Sequence, residues 1–176
     1  MIIGFTGRKY HGKDTAAKRL IKNGYTPMSF AEPIKEIAKM LFGFSENQMN
    51  GNQKEDIDSR WNISPREALQ FIGTELFREQ IQRLLPDIGS DFWVKSLENR
   101  IPKDTNIVIT DVRFPNEVDM IHRLGGKIIR VKRDIVENQG SHISEMLIDT
   151  LDADHDIENN GTIEELHDKV NVILAR

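Results

Sequence analysis

The sequence predicts an α/β protein built on a parallel sheet, and three observations carry that expectation. Apolar strand-like runs alternate with segments of helical periodicity along the chain. The first run, with Ile2, Ile3 and Phe5, is apolar on both faces, as a strand covered by helices on either side must be. A glycine- and lysine-bearing loop then joins that run to the first helix, at the edge where open α/β sheets hold ligands.

The elements follow in order. The helix after the loop reaches about Lys22, and a short strand is expected near Pro27 to Phe30. Ile34, Ile37, Ala38 and Leu41 follow i, i+3, i+4, i+7 spacing and predict an amphipathic helix. Residues 43–62 are polar and weakly patterned, with Asn50-Gly51, and read as a loop. Ser64-Pro65-Arg66-Glu67 is a capping box with proline at the first helical position. It opens a long helix with Leu69, Ile72, Leu76 and later Leu84 on its apolar face. Another helix begins at Asp91-Phe92-Trp93. Asn106 to Thr110 and Lys127 to Lys132 are strands, separated by a helix over 115–124 that ends at Gly125-Gly126. Residues 134–152 are polar and irregular, a candidate lid. Ile157 marks a last short strand. The capping box Thr162-Ile163-Glu164-Glu165 starts a final helix that presents Ile163, Leu166, Val170, Ile173 and Leu174 to the sheet.

Composition narrows the function. A chain of 176 residues is one domain, or one domain with an insertion. It has no cysteine, which excludes disulfides and thiolate metal sites. No run approaches membrane-spanning length and the short N-terminal strand is not a signal peptide, so a soluble, cytoplasmic protein is expected. A net charge of -4 argues against a general nucleic-acid binder. The charge is uneven: residues 1–22 hold six Lys or Arg against one acid, whereas residues 134–168 hold eleven acids and no Lys or Arg. The basic end suits a polyphosphate. Lys18, Arg19 and Lys22 also fit a plain solvated helix face.

The loop carries the chemistry. Gly7, Gly12 and Lys13 match the first seven positions of G-x-x-x-x-G-K, in which backbone N–H groups cradle phosphates and the lysine reaches the outer ones. Arg8, Lys9 and His11 lie within the loop. The residue after the lysine is Asp14 rather than Ser or Thr, with Thr15 one place later. A carboxylate there can still serve Mg²⁺, directly or through water.

Further along, Ile107 to Thr110 ends in Asp111, the position where phosphate-loop enzymes place an acid for metal or substrate. A turn or cap role is the alternative. Arg113 projects beyond the carboxyl edge of the sheet, where its guanidinium can grip a phosphate through two parallel hydrogen bonds. Glu117 reads equally as a base, a ribose ligand or a charge favouring the helix dipole. Arg66, Gln70, Thr74 and Arg78 recur every four residues. They line one helix face that suits a phosphate and a base, or simply a wet face. Trp93 could stack on a base, although a core position is the commoner fate of tryptophan. The five histidines show no metal-ligand spacing.

Taken together, these pieces resemble a known family. Gly12-Lys13-Asp14-Thr15, Ser29-Phe30-Ala31, Pro65-Arg66-Glu67 with Leu69-Gln70 and Gly73-Thr74-Glu75, and Asp111-Val112-Arg113-Phe114-Pro115-Asn116-Glu117 are similar to the deoxynucleoside monophosphate kinases of tailed bacteriophages. The Asn160-Gly161-Thr162 turn is similar to nucleoside monophosphate kinases generally. The resemblance implies a three-layer P-loop fold with a helical monophosphate-binding insertion at about 43–100 and a lid at about 134–152. It implies transfer of the ATP γ-phosphoryl to a deoxynucleoside monophosphate, with Mg²⁺ as cofactor. In that pattern Lys13 and Thr15 bind ATP phosphates and Asp14 serves the metal. Asp111, Arg113 and Glu117 fall at the acceptor side, and Arg66, Arg78 and Trp93 carry over more weakly. A homodimer in the cytoplasm, that of a host if the source is viral, is the implied setting. The lid contains no arginine, so charge neutralisation falls to Arg113, Arg130, Lys132, Arg133, Arg8 or Lys9. Two other readings stand beside this one: a kinase for a ribonucleotide or coenzyme precursor, and a nucleotide-binding switch with no acceptor.

Overall fold

The computed structural model describes residues 1–134 and 148–175. Most of the expected lid, residues 135–147, lies outside them. The chain divides into two compact units, one of residues 1–29 with 97–176 and one of residues 30–96.

The first unit holds a five-stranded parallel sheet. Its strands are β1 (Ile2–Thr6), β2 (Thr26–Met28), β3 (Ile107–Ile109), β4 (Lys127–Lys132) and β5 (His155–Glu158), in the order β2-β3-β1-β4-β5. β1 is central and wholly buried, with Gly4 in register with Ile109 of β3 and Ile128 of β4. Strand alternation produces the layers. Ile3 and Phe5 share a core with Ala16, Ala17 and Leu20 of α1 (Lys13–Lys22) and with Leu166 and Val170 of a C-terminal helix, Ile163–Leu174. The intervening Gly4 faces Val112, Ile128 and Ile121, the last on the helix Pro115–Arg123, which covers the other side. The result is the three-layer α/β arrangement expected. In the last helix Thr162 and Glu165 form the expected capping box, but Ile163 is exposed, because the first turn stands clear of the core.

The second unit is helical: α2 (Glu32–Phe42), α3 (Glu46–Asn50) and α4 (Pro65–Gln70), the last continuing as a π-helix over Phe71–Glu79 and a 3₁₀ turn over Gln80–Arg83. The helix Phe92–Glu98 is then α5, Pro115–Arg123 is α6 and Ile163–Leu174 is α7. The unit starts at Phe30, ahead of the position 43 read from sequence. The reason is its core: Ala38 of α2 is buried with Phe44, Met49, Ala68 and Ile72. Leu41 is exposed, and Phe42 packs instead, its ring stacked 5.2 Å from that of Phe44.

The segment 43–62 is more ordered than its composition suggests. Ser45 and Gln48 cap α3 reciprocally, and Met49 anchors it in the core. Asp58 accepts hydrogen bonds from the Gln48 side chain (2.7 Å) and from the backbone and guanidinium of Arg60. The Arg60 and Gln48 bonds hold its carboxyl well below the usual carboxylate range.

α4 begins with the expected Ser64–Glu67 capping box. It does not stay α-helical. Over Phe71–Glu79 the bonding widens to i→i+5 and takes up an extra residue per turn. The core position expected at Leu76 therefore moves to Phe77, which packs on the core while Leu76 and Leu84 are exposed. The same change interrupts the four-residue ladder from Arg66 to Arg78.

Phe77→Ala should consequently cost roughly 2 kcal/mol or more, and Leu76→Ala less than about 1 kcal/mol. Denaturant unfolding checks this; the reverse order would contradict the shifted register.

Candidate active site

The site is built at the carboxyl edge of the sheet, where β1 runs into the loop 7–12 and β3 into the turn 110–114. Two bonds join these turns: Thr6 donates its hydroxyl hydrogen to the Val112 carbonyl (2.9 Å), and Val112 N–H donates to Phe5.

The loop demands glycine at two places. Gly7 has φ of 140°, and a Cβ there would lie 2.3 Å from the Val131 carbonyl oxygen of β4. Gly12 has φ of 101°, and its Cβ would lie 2.3 Å from the Asn159 amide nitrogen. Both the left-handed backbone and the close approach exclude a side chain. Gly12 is the N-cap of α1, so the helix N-terminus opens directly from the loop. Lys13 folds back, its Nζ donating to the Arg8 carbonyl at 2.8 Å. The ammonium is thereby held within the loop, the position from which a phosphate-loop lysine reaches phosphate.

The other loop residues divide. Arg8 pairs with Asp149 at 2.5 Å. Lys9 lies over the exposed Tyr10 ring, 4.8 Å from its centroid. His11 is buried, with Nδ1 3.3 Å from the Val131 carbonyl oxygen, so its ring braces the loop against β4. Asp14 is exposed in the first turn of α1, and Thr15 is half-buried, its carbonyl oxygen 3.1 Å from His167 of α7.

Asp111 lies just past β3 and accepts the Ser29 hydroxyl at 2.8 Å. Arg113 is exposed, and no described carboxylate pairs with its guanidinium. Glu117 is buried and occupied: one of its oxygens accepts the backbone N–H groups of Arg113 (2.7 Å) and Phe114 (3.1 Å). It acts as the capping acid of α6 and fixes the turn that presents Arg113. The alternatives of base and ribose ligand are set aside on this geometry.

The remaining cations are largely committed. Arg130 bonds Asp156 and the carbonyls of Asp149 and Leu151, and Lys132 bonds Asp156. Burial works to raise the Asp156 carboxyl, but these two cations outweigh it and keep it below its ordinary value. Arg133 is exposed.

In the helical unit, Arg66 pairs with Glu55, Gln70 and Thr74 are exposed, and Arg78 is half-buried. Trp93 is 3% exposed, donates its indole N–H to the Gly73 carbonyl at 2.8 Å, and packs against Phe77 and Phe92. It is a core residue, not a base platform. Trp93→Phe should therefore cost about 1 kcal/mol of stability, the worth of the lost hydrogen bond, and leave nucleotide affinity unchanged. Weaker nucleotide binding with unaltered stability would contradict this assignment.

Asn159 and Ser29 were not legible as site residues. Their partners, His11 and Asp111, lie far away in the chain, and only the parallel strand order brings them together.

Comparison with known proteins supplies the family. The sequence profile of the deoxynucleotide monophosphate kinase family matches residues 37–170. A protein of Acanthamoeba polyphaga mimivirus, named provisionally as a deoxynucleotide monophosphate kinase, is 36% identical over 97% of this chain and 94% of its own. The deoxynucleoside-5′-monophosphate kinase of Escherichia phage T5 is 28% identical, over 69% of this chain and 71% of its own. Among solved structures, a Thermus thermophilus protein shares the fold at 18% identity, with a TM-score of 0.51 over 99% of this chain and 96% of its own. The chain belongs to the deoxynucleotide monophosphate kinase family.

Proposed function

We propose that the protein transfers the γ-phosphoryl group of ATP to a deoxynucleoside 5′-monophosphate, giving the diphosphate and ADP. The observation that carries the reading is Lys13, its ammonium held on the Arg8 carbonyl inside a two-glycine loop at a helix N-terminus. The family supplies the acceptor class.

In this reading the loop N–H groups and Lys13 hold the ATP phosphates. Arg113, presented by the turn that Glu117 fixes, grips the acceptor phosphate and brings one of its oxygens in line with the γ-phosphorus. A bond forms from that oxygen to phosphorus as the bond to the bridging β,γ-oxygen breaks, and the electrons leave with ADP. The acceptor is already an anion, so no strong base is needed. That agrees with a Glu117 that already accepts two backbone N–H groups.

Mg²⁺ fits the oxygen donors present. Among the described residues no three His, Asp or Glu side chains gather as a metal cage. Asp14 and Asp111 instead offer one carboxylate each at the carboxyl edge of the sheet, as suits a cation that takes its other ligands from phosphate and water. Asp14 and Asp111 would hold it, and when bound it would supply positive charge against that of the phosphates. Gln70 and Thr74 remain acceptor contacts on their four-residue spacing with Arg66 and Arg78, and those two arginines on the family resemblance as well. Assembly as a homodimer and a place in the cytoplasm are part of the same proposal. Among the described residues no helix is long and apolar enough to cross a membrane.

Lys13→Ala and Arg113→Ala test the roles. Each should lower kcat/KM by at least ~10²-fold with the melting temperature retained. Near-normal turnover in either purified variant would remove that residue from the mechanism.

A further inference from the structure

We infer that Asn159 is a positioning residue for the phosphate loop. It sets the orientation of one loop amide toward the nucleotide phosphates. The inference rests on the phosphate-transfer reading of the loop.

Asn159 follows β5 and is 7% exposed. Its backbone N–H donates to the Lys132 carbonyl at 2.7 Å, which fixes its main chain at the end of β4. Its side-chain Nδ2 then donates to the His11 carbonyl oxygen at 2.9 Å. The peptide bond between His11 and Gly12 is trans, as are all those described. In a trans peptide the N–H points opposite to the C=O. Turning the His11 carbonyl onto Asn159 therefore turns the Gly12 N–H away from it. That N–H has no acceptor among the described residues, so it remains available to a ligand.

The fit is tight on the other side as well. A Cβ on Gly12 would meet Asn159 Nδ2, so the loop glycine and the amide are matched in size. A positive φ at Gly12 permits both peptide orientations, since glycine has little preference of its own. The choice between them must come from outside the residue, and Asn159 supplies it. His11 assists with its ring against Val131, but that contact leaves the carbonyl free to turn.

Asn159→Asp tests this. The carboxylate keeps the shape but offers the His11 carbonyl an acceptor in place of a donor, so the peptide loses its preferred orientation. Calorimetric titration with MgATP should show Kd raised about tenfold. The KM for ATP should rise in parallel, with the KM for the deoxynucleotide acceptor unchanged, whatever the loss of the buried hydrogen bond costs in stability. Asn159→Ala, which removes the donor without adding charge, should show the same split and keeps the test open if the aspartate variant does not fold. ATP affinity equal to wild type in a folded variant would overturn the inference. So would a parallel rise in both KM values, the mark of a merely structural role. If the wild-type protein itself fails to bind MgATP, the underlying kinase reading falls, and this inference with it.

Discussion

The close approach of Gly7 to the Val131 carbonyl is the constraint on which the rest of the site depends. The chain leaves β1 fully buried, in the middle of the sheet, and must become a helix within a few residues. It does so by passing directly over β4, at a distance that admits no side chain. That contact decides where the loop lies. Val131 also braces His11, and Asn159, just past the end of β5, donates to the His11 carbonyl. The loop is thus referenced to β4 and β5, while Thr6 and Val112 tie its root to β3. The glycine loop and the acidic turn stand on one set of parallel strands, the kind of support that precise positioning requires.

Charge is distributed on the same principle. The basic N-terminal stretch suggests a diffuse positive surface, yet several cations have acidic partners, in that stretch and beyond it. Arg8 pairs with Asp149, and Arg130 and Lys132 with Asp156. Such pairs hold the segment after residue 148 in place more than they attract ligands, and exposed ones contribute little stability. Lys13 and Arg113 differ. The first is held by a neutral carbonyl and the second meets no described carboxylate. The proposed function gives both to phosphate.

What could be read from the sequence was local. The capping boxes at Ser64 and Thr162, the buried strands and the Gly-Lys loop are each encoded within a few neighbouring residues, and each stands where expected. Asp111 and Arg113 were legible because a strand end fixes where its next residues go. The misses have non-local causes. The widening of α4 after Gln70 moves the core from Leu76 to Phe77, and only packing against α2 and α5 residues favours that pitch. Trp93 reads in sequence as a core residue or a base platform, and its N–H bond to the Gly73 carbonyl sides with the core. The short helix α3 has its capping signal, Ser45 with Gln48, but a polar surround masked it. Glu117 read equally as a base, a ribose ligand or a charge for the helix dipole, because sequence cannot show that two backbone N–H groups already occupy it.

The central claim is that the loop and Arg113 serve transfer between two phosphates, and ADP formation from MgATP measures it directly. Each common deoxynucleoside and ribonucleoside monophosphate is added in turn to the purified protein. Rapid ADP release that requires a deoxynucleoside monophosphate, with matching formation of its diphosphate, is the result this account predicts. ADP release at the same rate with every monophosphate, or with none, would contradict it and leave a nucleotide-binding switch or simple ATPase in its place.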